Sequence, residues 1–205
     1  MLTELLIATA NSGKMKEFAL LFAGSGIKLY SLKDFPKLVP ADEDGSTFKE
    51  NALKKATAAA KDTGLIAIAD DSGLCVDVLD GRPGVISARY AGEGADDGAN
   101  NLKLLQELTG VPREHRSAAF RCVIAFCRPD GLEAVFEGEL RGFILEHSSG
   151  QGGFGYDPLF MVSEYGKTLA ELPIEVKNRI SHRGRATSYL SEYLQFTYKK
   201  ELLNA

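Results

Sequence analysis

Apolar positions change their period several times along the chain, and each change marks an element. Leu5-Leu6-Ile7-Ala8 is a continuous apolar run, and Met15, Phe18, Ala19, Leu21 and Phe22 then recur at helical spacing. The opening therefore predicts a strand, the polar turn Thr9–Lys14 and a helix. Lys28 to Leu32 predicts a second strand, followed by a loop rich in Pro and Asp. Thr47 and Glu50 have the spacing of a capping box at the start of a helix that Gly64 should end. Leu65 to Ala69 is a short buried-strand run, and Leu74, Val76 and Val78 alternate as a separate strand. A turn and short helix follow at 82–92, then an amphipathic helix over Asp97–Leu108. Ala118–Phe126 and Glu133–Leu140 flank Arg128-Pro129-Asp130-Gly131 and predict a hairpin. Residues 147–158 form a glycine-rich loop, and His182–Leu203 a long helix. Strands and helices mixed with a central hairpin predict an α/β or α+β fold with a mixed sheet.

Composition narrows the class. The chain has 205 residues, 44% of them hydrophobic and 25% charged, which predicts one large domain or two small lobes sharing a core. A net charge of −4 gives no broad footprint for nucleic acid, although a local cationic pocket for a small polyanion stays open. Cys75, Cys122 and Cys127 are odd in number, lack metal-knuckle spacing and lie in apolar stretches, which predicts buried thiols in a reducing compartment. No run is long and apolar enough for a membrane span, and the start lacks the basic segment of a signal peptide, so a cytoplasmic protein is expected.

Several short stretches carry candidate chemistry. Thr9-Ala10-Asn11-Ser12-Gly13-Lys14, between a strand and a helix, has the composition of a phosphate cradle but not the spacing of a P-loop; taken alone, the stretch reads first as a capped helix start with a solvated lysine. Glu43 lies in the loop before the next helix, on which Asn51 and Lys55 share a face. Asp70 and Asp71 directly follow a buried strand. Two like charges so close resist joint ionisation unless a cation lies between them. If the chain turns at Ser72-Gly73, both carboxylates reach one cleft and suit Mg²⁺, with Asp71 able to take a proton from water. Phe154 or Tyr156 offers a ring to a purine, with Gly155 beside them and Asp157 as an acceptor. Lys177, His182 and Arg183 belong to a cationic stretch in which Ser181 is a candidate helix cap and Arg183 a multi-donor contact for a carbonyl or phosphate. No nucleophilic Ser or Cys with a matching His–acid set is evident. Together these features suit metal-assisted attack of water on a nucleotide polyphosphate.

At "TANSGK", "FKENALKKA", "ADDSGLCVDVLDGRPGVISARYAG", "GGFGYDPLF" and "ISHRGRA", in that order from about Ile7 to the end, the chain resembles the inosine/xanthosine triphosphate pyrophosphatases, or XTP/dITP diphosphatases. The resemblance implies an elongated α/β fold spanning 1–205 as one domain, with a long mixed sheet, flanking helices and two lobes around a nucleotide cleft. It implies a homodimer that hydrolyses ITP, dITP and XTP to monophosphate and pyrophosphate with Mg²⁺, with no nucleic-acid or membrane partner. Carried onto this chain, Thr9, Ala10, Asn11, Ser12, Gly13, Lys14 and Lys55 would bind the triphosphate. Asp71 would be the catalytic proton acceptor and a metal ligand, Glu43 a second metal carboxylate and Asp70 a supporting one. Ser72, Phe154, Gly155, Tyr156, Asp157, Lys177, His182 and Arg183 would contact the substrate. Ala10 and Gln151 depart from residues frequent in the family at those places. Deaminated purines carry a keto acceptor at C6 where adenine has a donor, so donors from His182 or Arg183 would favour them, whereas rejection of GTP must act at the 2-position. Two other readings remain: a pyrophosphatase for pyrimidine or modified nucleotides, and a nucleotide-binding module without turnover.

Overall fold

The structure, a computed structural model, describes residues 2–199. In chain order it contains β1 (Glu4–Ile7), α1 (Ser12–Leu21), β2 (Lys28–Ser31), α2 (Phe48–Thr63), β3 (Ala67–Val76), α3 (Asp97–Glu107), β4 (Ser117–Cys127), β5 (Glu133–Ile144), β6 (Phe160–Val162), β7 (Lys167–Thr168), α4 (Ile174–Ile180) and α5 (His182–Lys199). The strands pair in the order β2-β1-β3-β4-β5-β6-β7. β1 is parallel to β2 and β3, while β6 is antiparallel to β5 and β7, so the sheet is mixed, as expected. The part of the predicted last helix beyond residue 199 lies outside the described residues.

The chain forms two compact units. The first comprises Met1–Asp71, Cys122–Gly138 and Arg183–Ala205. Its strands alternate strictly, because successive side chains on a strand point to opposite faces. Leu5, Ile7, Ile68, Cys122, Ile124 and Phe126 face Phe18 of α1, Phe22 at its end, and Ala186, Leu190 and Leu194 of α5. Leu6, Ala8, Ala67, Ala69, Val123 and Ala125 face α2, which offers Ala52, Ala56, Ala59 and Ala60. Small residues on both sides let α2 approach the strands closely. Thr47 caps α2 by accepting from Glu50 N–H at 3.1 Å, but the Glu50 carboxylate reaches back to Ser46 N–H at 2.8 Å, one residue beyond the N-cap N–H of the expected box. Gly64 ends α2 in the left-handed region, φ 71°.

The second unit comprises Ser72–Arg121 and Glu139–His182. Its core gathers Leu74, Val76, Leu104, Leu108, Phe120, Leu140, Ile144, Leu159 and Phe160. Arg116 is buried, and its guanidinium donates to the Leu108 and Val111 carbonyls, left open where α3 ends, and to the Leu145 carbonyl just after β5. The expected break at Ser72-Gly73 does not occur. β3 runs through it to Val76, and the apparent second strand is the end of this one, followed by a single 3₁₀ turn at Asp77–Leu79. β6, β7 and α4 were not foreseen, because each is too short to show a period.

At Gly142 of β5 an added Cβ would stand 2.3 Å from the Met161 carbonyl oxygen and 2.7 Å from the Phe160 ring. Gly142→Ala is expected to cost about 1–3 kcal/mol through overpacking, read as a melting temperature several degrees lower. An unchanged melting temperature would show that β5 and β6 do not approach this closely.

Candidate active site

The two adjacent aspartates go to opposite faces. Asp70 follows Ile68 on the face covered by α1 and α5, and Asp71 follows Ala69 on the face covered by α2. Uninterrupted strand geometry at Ser72 is why they diverge rather than turning into one cleft.

Asp70 is completely buried. Its Oδ2 accepts from Arg183 Nη2 at 2.9 Å and Nε at 3.2 Å, and lies 3.0 Å from Lys14 Nζ. Arg183, 2% exposed, also pairs through Nη1 with the buried Glu17. Burial alone would raise the Asp70 pKa, but Lys14 and Arg183 outweigh it and hold the carboxyl well below the usual carboxylate range. Burial likewise opposes the charge on Arg183, and Asp70 and Glu17 overcome it and raise its pKa. The cation that lets two neighbouring acids coexist is therefore, for Asp70, supplied by the chain itself. Asp70, expected to support a metal, is engaged by Lys14 and Arg183, and Arg183, expected to touch substrate, is buried within the same network. Glu17 was missed; its one visible signal is a position one turn after Lys14.

Asp71 stands in different company. Its Oδ2 accepts from Asn51 Nδ2 at 2.9 Å, and Asn51 Oδ1 accepts from Gly45 N–H at 2.7 Å. Asn51 is 1% exposed and its amide orientation is fixed from both ends, by a carboxylate and by an N–H. An added Cβ at Gly45 would sit 2.6 Å from Asn51 Oδ1, so this close approach requires glycine. Two residues upstream, Glu43 pairs with Lys55 Nζ, which also donates to the Asp70 carbonyl at 2.8 Å. Burial raises the Asp71 pKa, against the pull of Lys55, Lys14 and the Asn51 hydrogen bond. Asn51 thus links the Glu43 loop to the Asp71 carboxylate, a role its place beside Lys55 on α2 did not reveal.

The Thr9–Lys14 turn is a capped helix start. Thr9 Oγ1 accepts from Asn11 N–H at 3.2 Å, and Asn11, the N-cap, accepts from Lys14 N–H at 3.0 Å. The cap leaves the Ser12 and Gly13 N–H groups without an intrahelical acceptor, at the positive end of the helix dipole. Both readings of this turn therefore describe the same atoms. Ala10, Asn11 and Ser12 are exposed there.

In the second unit the glycine-rich loop folds on itself. Asp157, buried, accepts from Phe154 N–H at 3.0 Å and pairs with the buried Lys177 at 2.6 Å. Lys177 Nζ also lies 4.6 Å from the centre of the Phe154 ring, a cation–π contact. Gly155 adopts φ 60° and is half-buried, and Tyr156 is buried with its hydroxyl donating to Ser87 O at 2.8 Å. His182 is nearly buried and stacks on Phe120, centroids 4.8 Å apart and planes 10° from parallel. Ser72 is half-buried at the point where β3 enters this unit.

Among the described residues no cluster of three His, Cys, Asp or Glu side chains could cage a metal, and no helix is long and apolar enough to cross a membrane. Cys75, Cys122 and Cys127 are free thiols, and burial, with Asp70 nearby, pushes Cys122 up to about 12.

Comparison with known proteins places this geometry. A family model described as the Ham1 family matches residues 5–193. The chain is 60% identical over 193 residues to a dITP/XTP pyrophosphatase of Geobacter sulfurreducens, covering 94% of this chain and 97% of that one. A dITP/XTP pyrophosphatase of Desulforamulus reducens is 54% identical over 95% of this chain and 97% of its own length. Among solved structures, a HAM1 protein from Coxiella burnetii superposes with a TM-score of 0.87 at 42% identity, covering 96% of this chain and all of that one. The Staphylococcus aureus Ham1 protein gives 0.84 at 42% identity, over 94% and 98%. The match over nearly the whole length, in sequence and in fold, bears out the resemblance: this chain belongs to the Ham1 family.

Proposed function

We propose that this chain is a nucleoside-triphosphate pyrophosphohydrolase that converts deaminated purine nucleotides, ITP, dITP and XTP, to the monophosphate and pyrophosphate. The observation that carries the reading is the buried Asp71, oriented by Asn51 beside the Glu43–Lys55 pair and within the influence of Lys14. The relatives named dITP/XTP pyrophosphatase support the same reaction.

Glu43 and Asp71 are the two carboxylates that would hold Mg²⁺. Such a donor pair suits a small hard cation, which binds through one or two carboxylates and takes water and substrate phosphate for the rest of its shell. When bound, the cation would neutralise phosphate charge and make a coordinated water more acidic. The remaining work falls to the chain. The Ser12 and Gly13 N–H groups and Lys14 would receive phosphate oxygens at the start of α1. Lys55 would keep Glu43 in place and add positive charge. Asp71, its carboxylate set by Asn51, would accept the proton of the attacking water, a role its raised pKa favours. In the second unit Phe154 would stack on the purine, with Lys177 and Asp157 holding the ring, and Ser72 and His182 would add polar contacts. The C6 keto oxygen then has donors in the loop and in His182. Arg183 would keep Asp70, and through it Lys14, in position. The family resemblance also supports a homodimer, and the free cysteines support the reducing cytoplasm.

Pyrophosphate release from ITP, XTP, dITP, ATP and GTP, with Mg²⁺ and with EDTA, tests the reading. Fast turnover of the deaminated purines, slow turnover of ATP and GTP, and loss of all turnover in EDTA are expected. Nucleotide binding without pyrophosphate, or equal rates on all five, would overturn it. Asp71→Asn should lower kcat by roughly 10²–10⁴ with the melting temperature nearly unchanged; a variant keeping a tenth of the activity would remove Asp71 from the proton transfer. Asn51→Ala should lower kcat roughly tenfold, with KM little changed, since the lost hydrogen bond orients a reacting group and touches no substrate. A rise in KM alone would place Asn51 in substrate binding instead.

A further inference from the structure

The Phe154–Asp157 loop follows one glycine with positive φ, Gly153 at 74°, and contains another, Gly155 at 60°. Such a segment is free to move unless its peptide groups are held. Both peptide groups at Gly155 are held from one helix. Asp97 Oδ2 accepts from Gly155 N–H at 2.6 Å, and Asn101 Nδ2 donates to Gly155 O at 2.9 Å. Asp97 and Asn101 are four residues apart on α3, so they stand on one face of it. The helix is itself well anchored. Leu104 is in the core, and the buried Asn100 accepts from Ala91 N–H at 2.8 Å and donates to Ala88 O at 3.1 Å.

Two details mark the arrangement as more than a surface contact. Asn101 Oδ1 is buried with no hydrogen-bond partner among the described residues, a position that costs free energy. Reversing the amide would set Oδ1 against the Gly155 carbonyl, so the orphaned oxygen is the consequence of aiming Nδ2 at the loop. Asp97, by contrast, is exposed and spends its carboxylate on one backbone N–H. An ionised acceptor makes the stronger kind of hydrogen bond.

We infer that Asp97 and Asn101 are positioning residues for base selectivity: from α3 they clamp Gly155 so that the Phe154–Asp157 loop is preorganised for a deaminated purine. This rests on the reading that the loop receives the base. Among the described residues the Asp97 carboxylate and the Asn101 amide are spent on Gly155, so the clamp acts on which nucleotide binds and not on the chemical step. A held loop rejects a purine with the wrong donor pattern because it cannot shift to accommodate it; a loosened loop can.

The test compares D97A, D97N, N101A and the D97A/N101A double variant with the parent on ITP, XTP, GTP and ATP, with melting temperatures measured alongside. F154A serves as the reference for the loop itself. D97A and N101A are expected to raise KM for ITP and XTP roughly tenfold, to leave kcat within about twofold, and to shrink the ITP-to-GTP and ITP-to-ATP ratios of kcat/KM by a similar factor. D97N keeps an acceptor oxygen and should retain most of the parent's selectivity. Because Asp97 is exposed, D97A reports on the clamp with the core intact even if the double variant folds poorly. Equal losses on all four nucleotides would reduce the pair to a stabilising role and overturn the inference. If F154A narrows the ratios and the clamp variants do not, the clamp falls while the loop reading stands. If F154A leaves them unchanged as well, the base-binding reading falls and the clamp with it.

Discussion

The two-residue period of β3 is the constraint on which the rest of the candidate site depends. Because neighbouring strand residues face opposite ways, Asp70 and Asp71 enter different environments although they are adjacent in the chain. Asp70 meets α1 and α5, where Lys14, Glu17 and Arg183 await it. Asp71 meets α2, where Asn51 and the Glu43–Lys55 pair await it. One strand thus separates a charge that holds structure from a charge available for chemistry.

The buried side of this division balances itself. Two carboxylates, Asp70 and Glu17, are matched by two cations, Lys14 and Arg183. Taking such charges out of water is costly, and their mutual attraction offsets the cost only when all partners are present. Removing one leaves the others uncompensated, which is why the network fixes geometry more than it adds stability. Lys14 is the member that connects it to the start of α1, where N–H groups of the first turn point outward. The helix start and the strand end are registered to one another through this ion pair.

Where local pattern decides structure, the sequence was readable. The unbroken apolar runs Leu5–Ala8 and Leu65–Ala69 announced buried strands, and Thr47 and Gly64 announced the two ends of α2. The blocks that carry the family resemblance pointed to the nucleotide chemistry before any geometry was known. Long-range pairing was not readable. Nothing local to Arg183 says that it crosses to Asp70, 113 residues away, and its basic neighbours suggested a substrate contact instead. Ser72-Gly73 looked like a turn, yet pairing with neighbouring strands kept β3 extended through it. Glu17, Asp97 and Asn101, and the part that Asn51 plays beside Asp71, were missed for the same reason. Polar residues on amphipathic helices look solvated until the partner that faces them is known.

The division of roles along β3 has a direct thermodynamic signature. The folded-state pKa of Asp70 lies below its unfolded value, so its contribution to stability is present above about pH 4 and is lost as the pH falls through that value toward the depressed pKa. Denaturant unfolding of the parent and of Asp70→Asn across the range from neutral to acid measures it. The account predicts that Asp70→Asn is less stable at neutral pH by about 3 kcal/mol, and that the gap narrows on acidification as the parent loses the same charge. Equal stability of the two proteins at neutral pH would contradict the claim that Asp70 is the anion on which the buried network is built.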